Sequence, residues 1–189
     1  MRLPPTSRGR GALRLVLAAL LLLAGTAAAR AQTGSLEYAV KATYLYKFAP
    51  FVDWPESAFA LPTSPLVLCI VGDDPFGAVL DRAVAGQHLA EHPVVVERMA
   101  TYAPGRVCHI LYAMGSDLQP ASEVVALARG RAVLTISDAA RGSAGKGIIH
   151  FVVQENRVRF EIDDRAAAEN DLKISSKLLS LATSVRPRP

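Results

Sequence analysis

Apolar residues recur at a spacing of four in Leu36, Val40, Tyr44 and Phe48, and Lys41 and Lys47 lie off that stripe. The spacing predicts a helix that Ser35 caps and Pro50 ends. Phe51-Val52-Asp53-Trp54-Pro55 follows as an irregular aromatic segment. Residues 66–71 are continuously apolar and read as a buried strand. After the turn Gly72-Asp73-Asp74-Pro75, Asp74 is expected to cap a helix with Pro75 at its first position and Phe76, Val79, Leu80 and Ala83 on its apolar face. Residues 93–97 and 107–112 read as strands, 118–128 as a helix with Pro120 in its first turn, 132–136 as a strand and 138–141 as a single helical turn. Residues 147–162 form two apolar runs around a tight polar turn, which predicts a hairpin. Asp163 is placed to cap a helix through Ala168, and 175–182 reads as a last short helix. Alternating strands and helices closed by a hairpin predict an α/β fold, a three-layer sandwich with a mixed β-sheet flanked by helices and a C-terminal β-hairpin.

The first 31 residues have another pattern. Arg2, Arg8, Arg10 and Arg14 precede the apolar run 15–24, and Ala29-Arg30-Ala31 offers an A-x-A site before Gln32. The run is shorter than the roughly 20 residues of a spanning helix. This layout predicts a secretory signal peptide over 1–31, cleaved near Ala31, and hence export. An uncleaved N-terminal anchor is the alternative. Five of the 21 Lys+Arg and none of the 17 Asp+Glu fall in this leader. The remainder carries 16 against 17, a formal charge of −1, so the basic character of the whole chain gives no argument for nucleic acid. Residues 32–184 are expected to form one domain with its own core, and 185–189 a disordered tail.

Two cysteines, Cys69 and Cys108, each lie in an apolar run. In an oxidising compartment they could join as one disulfide, which would close a 39-residue loop. The chain-entropy model values such a loop at roughly 4 kcal/mol. Two buried free thiols are the other reading.

No motif assembles a catalytic centre. Gly142-Ser143-Ala144-Gly145-Lys146-Gly147 invites a phosphate-loop reading, but Ala140 stands where the first Gly is needed and Gly147 where a Ser or Thr is needed. Ser143 and Lys146 match S-x-x-K without the accompanying S-D-N and K-T-G elements. His88-Leu89-Ala90-Glu91-His92 matches H-x-x-E-H, but Gly86 and Pro93 flank it and predict a loop instead of a metal-binding helix. His109 and His150 read as strand residues. Asp73 and Asp74 follow a strand without a matching Lys-bearing strand end. No metal or cofactor is expected, and an envelope hydrolase lacks a visible nucleophile–base set.

Five segments together resemble the YfiR/HmsC family of periplasmic regulators over roughly 36–182. They are Val40 to Phe48 running into Phe51-Val52-Asp53-Trp54-Pro55; Leu68 to Gly77; Cys108-His109-Ile110-Leu111; the hairpin from Ile149 to Ile162; and Leu172 to Leu179. The resemblance implies a non-catalytic α/β protein that tends to dimerise. It implies repression of an inner-membrane diguanylate cyclase through the periplasmic sensor domain of that enzyme, and sequestration by an outer-membrane lipoprotein. Cys69 and Cys108 match a disulfide pair of the family. A second Cys pair that some relatives carry, corresponding to the region 131–153, is missing.

Trp54, Phe151, Glu161 and Ile174, taken from the matched segments, are the expected partner contacts, although Phe151 and Ile174 also suit a purely structural role. The competing reading is a small-ligand binding module whose pocket is lined by the aromatic segment.

Overall fold

The computed structural model describes residues 36–139 and 145–188. The leader, the expected cap Ser35 and residues 140–144, which hold the start of the Gly-rich loop and half of the turn expected at 138–141, lie outside the described residues. From Tyr38 on, the chain forms one compact unit.

Helix α1 (residues 36–47) leads through a 3-10 turn, Ala49–Phe51, to β1 (Val52–Asp53). The sheet strands are β2 (Leu66–Gly72), β3 (His88–Leu89), β4 (His92–Met99), β5 (Ile110–Gly115), β6 (Leu134–Asp138), β7 (Ile149–Gln154), β8 (Arg157–Asp163) and, after β9 (Lys173–Ile174), β10 (Ser184–Arg186). Helices α2 (Ala78–Val84), α3 (Ala121–Leu127), α4 (Asp164–Glu169) and α5 (Ser176–Leu179) lie between them. The spatial order is β10-β8-β7-β6-β5-β2-β4-β3. The run β4-β2-β5-β6-β7 is parallel, and β8 turns back antiparallel on β7. This is the mixed α/β sheet that the sequence predicts.

Alternation of side chains sends the central strands' residues to two cores. Leu68, Ile70, Ile110, Tyr112, Ile136 and Phe151 pack with Ala42 and Leu45 of α1, Phe48 just after it and Leu80 of α2. Val67, Cys69, Val71, Leu111 and Ala113 pack with Val124, Val125 and Ala128 on the other side. Helices therefore cover both faces, the arrangement that parallel strands require.

Local signals hold well. Glu155 and Asn156 both have positive φ, 50° and 58°, and join Gln154 to Arg157 in a two-residue turn of the twist hairpins favour. Asp163 caps α4 by accepting from the Ala166 N–H, and Ser175 caps α5 by accepting from Leu178.

Other expectations shift. Asp74 does not cap α2; its Oδ1 accepts from Phe76 and Gly77 and makes a turn, so the helix starts only at Ala78. Pro120 is the residue before α3, not within its first turn. Helix α5 ends at Leu179, and Asp138 is the last residue of β6. Cys108 precedes β5 and is not in it. The C-terminal residues expected to fray are paired instead. Val185 lies opposite Ile162 in β10, and the Arg188 guanidinium meets the Asp164 carboxylate at 2.8 Å and 2.9 Å.

The buried face of α1 also differs from the apolar stripe. It runs through Lys41, Ala42, Leu45 and Phe48, while Val40 is exposed. Lys41 is buried because its ammonium lies 2.6 Å from the Asp138 carboxylate, which also accepts from the Tyr112 hydroxyl at 2.8 Å.

Candidate functional site

Two of the matched segments, far apart in sequence, meet in a short ladder. Strand β1 pairs antiparallel with β9, with Val52 opposite Ile174 and Asp53 opposite Lys173. The Ser175 N–H donates to the Phe51 carbonyl at 2.9 Å and extends it. Val52 and Ile174 point into the core, whereas Asp53 and Lys173 are exposed side by side with opposite charge. The ladder thus fixes an apolar layer beneath a polar rim.

Beside it, the C-terminal turn of α1 and the β3–β4 hairpin enclose a recess of about 340 Å³, lined by Tyr46, Pro50, Phe51, Leu89 and Val94, with Lys47, Gln87 and His88 at its polar margin. Tyr46, Phe51, Leu89 and Val94 are half-buried, so their apolar atoms are partly accessible. His88 and His92 sit on opposite arms of the β3–β4 hairpin, not on a helix. Among the described residues, no group of three or more His, Cys, Asp or Glu side chains is arranged to hold a metal ion.

The expected contact residues fall into two groups. Trp54 is half-buried, with its Nε1–H donating to the Ala49 carbonyl at 3.4 Å and its ring edge-on to Phe59 and His109. Glu161 is partly exposed and pairs with Lys146 at 2.7 Å. Phe151, in contrast, is fully buried against Phe48 and Tyr44 of α1, and Ile174 is only 7% exposed. In this conformation neither presents an accessible side chain.

The histidines carry electrostatic detail that sequence patterning does not show. His109 is buried; its Nδ1 accepts from the Val67 N–H at 3.0 Å and its Nε2 donates to the Ala58 carbonyl at 2.9 Å. Burial pushes its pKa below the ordinary imidazole value; the Ala58 bond opposes this and nearby His92 adds to it. His150 is hydrogen-bonded to Ser137 at 2.8 Å, and Ser137 Oγ also accepts from the Gly147 N–H. Burial first, then Lys146, lowers the His150 pKa. This Ser–His contact is turned into the sheet, with Ser137 only 4% exposed, so the hydroxyl is not presented as a nucleophile.

Cys69 and Cys108 form a disulfide with Cα atoms 5.8 Å apart, buried in the core beneath α3.

A family model described as YfiR/HmsC-like matches residues 38–183, nearly the whole described domain. The chain belongs to the YfiR/HmsC-like family. No curated protein matches it. Membership supports a periplasmic regulator of cyclic di-GMP signalling, in a family that is regulatory rather than catalytic. Among the described residues, no helix is long and apolar enough to cross a membrane.

Proposed function

We propose that this protein is a periplasmic repressor that binds the sensor domain of an inner-membrane diguanylate cyclase and lowers cyclic di-GMP signalling. The carrying observation is the β1–β9 ladder. It joins the Phe51–Trp54 and Leu172–Leu179 segments and sets the half-buried Phe51 and Trp54 beside the exposed charged pair Asp53 and Lys173. A surface of that composition suits protein recognition and needs no reactive group. Trp54 is the anchor, Glu161 a polar contact, and Phe151 and Ile174 hold the surface in shape. The leader directs export and is cleaved near Ala31. An outer-membrane lipoprotein competing for the same surface would relieve the brake, and a homodimer would present it twice.

Repression requires tighter binding to the inactive sensor conformation than to the active one. Moving the cyclase between mostly off and mostly on takes about 5 kcal/mol of differential affinity. Deleting the gene should raise cyclic di-GMP and surface attachment wherever the cyclase is present. Trp54→Ala should reproduce this with the protein folded and abundant, because an interface aromatic contributes about 2 kcal/mol, roughly thirtyfold in affinity. A folded Trp54→Ala protein that represses fully rules out the anchor, and unchanged cyclic di-GMP on deletion rules out the brake.

The recess of about 340 Å³ favours a second reading, a small-ligand binding module feeding a transport or signalling system. Its volume is in the range of small-molecule sites, and its lining is largely aromatic and aliphatic. A ligand bound there would raise the melting temperature in proportion to ln(1 + [L]/Kd). Phe51→Ala would abolish that rise.

A further inference from the structure

Residues 54–65 connect β1 to β2, and two histidines from distant parts of the chain hold them. His92 Nδ1 donates to the Ser64 carbonyl at 2.6 Å, and His109 Nε2 donates to the Ala58 carbonyl. The Phe59 ring lies between the two imidazoles, with centroids 3.8 Å from His92 and 4.3 Å from His109 and planes within 16° of parallel. Trp54 abuts both Phe59 and His109 at their edges. Beyond these contacts the segment is largely open, with Glu56, Ser57, Ala60, Leu61, Pro62 and Thr63 all exposed.

We propose that this stack is a proton-operated latch: protonation of His109 breaks its hold on Ala58 and frees Trp54 and the segment around it. The hydrogen bonds require a neutral ring. A carbonyl only accepts, so the proton is on Nε2, and the Val67 N–H only donates, so Nδ1 must keep its lone pair. An imidazolium would place a second N–H against the Val67 N–H across 3.0 Å. The ring would have to turn away, giving up Val67, Ala58 and the Phe59 stack together. The groups packed on it are Trp54, Ala58 and Phe59 from the segment and Val67 from β2, and His92 of β4 lies across the Phe59 ring. His92 is the titratable group that acts on it electrostatically, and Glu56, on the same turn as Ala58, is exposed to solvent.

The direction of the pH effect follows. The folded state holds His109 below its unfolded pKa of about 6.5, so the unfolded or unlatched state binds the proton more readily. The latch is fully engaged above that pH and loses stability as pH falls towards the depressed folded value. What the latch regulates rests on the brake reading: freeing Trp54 in an acidified periplasm would weaken repression.

Trp54 is the only tryptophan of the chain. Its fluorescence therefore reads the latch directly, since indole emission changes when the rings packed against it leave and water replaces them. Titrating the purified exported protein should give one step with a midpoint below about pH 6.5, ahead of any loss of circular dichroism. The step should disappear in His109→Gln, persist in His150→Gln and move to higher pH in His92→Gln, which removes a nearby group that lowers the His109 pKa. An unchanged step in His109→Gln, or no step before global unfolding, overturns the latch. If His109→Gln does not fold, imidazole nitrogen chemical shifts of the unsubstituted protein decide. A ring protonated on Nε2 alone at pH 7.5 supports the proposal, and one protonated on Nδ1 overturns it. In cells, deletion should raise cyclic di-GMP more at external pH 7.5 than at 5.5. An equal rise at both overturns the regulatory role while leaving the titration intact. No rise at either pH refutes the brake and leaves the latch untouched.

Discussion

Replacing Lys41 by Met tests the least conventional contact in the core. The Lys41 ammonium and Asp138 carboxylate meet at 2.6 Å with side chains 0% and 2% exposed, and the ammonium also lies 4.9 Å from the centre of the Tyr38 ring. Lys41→Met keeps the apolar stem and deletes the charge. Asp138 retains the Tyr112 hydroxyl but loses the ammonium beside it. Breaking one side of a buried pair costs about 3–5 kcal/mol, because the remaining charge stays desolvated. For a domain of this size about 2–4 °C of melting temperature accompanies each kcal/mol, so a fall on the order of 10 °C is expected. In urea, with a slope of about 1–3 kcal/mol per molar, the midpoint should drop by about 2 M. Lys41→Met combined with Asp138→Leu and Tyr112→Phe replaces the buried polar groups of the cluster with apolar ones and should recover most of the loss. Thermal and urea melts followed by circular dichroism supply both numbers. A Lys41→Met protein within about 0.5 kcal/mol of the parent, the range of ordinary surface substitutions, would refute the burial of an ionised pair at this position.

Two more outcomes follow from the second core. Replacing both Cys69 and Cys108 by Ala should destabilise the domain by up to about 4 kcal/mol in the chain-entropy model, read as a lower urea midpoint; two titratable thiols per chain in unreduced periplasmic protein would contradict the disulfide. The Tyr102 hydroxyl is buried with no hydrogen-bond partner among the described residues, and burial, opposed by Arg131, raises its pKa. Tyr102→Phe should therefore hold stability or raise it by about 1 kcal/mol, and a loss of that size would show that the hydroxyl is satisfied.

What the sequence disclosed was mostly local. The hairpin followed from alternation and a polar pair at its turn, and the caps Asp163 and Ser175 act on residues three positions away. The family signature located the two segments that β1 and β9 bring together, although neither two-residue strand has a period of its own. Lys41 escaped because periodicity treats a lysine as polar, and the carboxylate that buries it stands 97 residues later. His109 escaped for the same reason, since its Ala58 partner is 51 residues away and hydrogen-bonding geometry leaves no trace in composition. Asp74 misled because a carboxylate followed by Pro serves a turn as well as a helix start, and the structure uses it for the turn.

The packing of α1 against the hairpin has a consequence for how the molecule is made. Tyr44 and Phe48 lean on Phe151 and Phe160, and Val52 finds its strand partner only at Ile174. A ribosome adds about 5–20 residues per second, so the first helix waits several seconds before its partners exist. Such distant pairings also fold slowly once the chain is complete. During that interval the growing chain has no closed core, and its front end remains threadable. On the proposed export through a narrow translocation channel, late closure would be a benefit: the last third of the chain, not the first, would decide when the molecule becomes too compact to move.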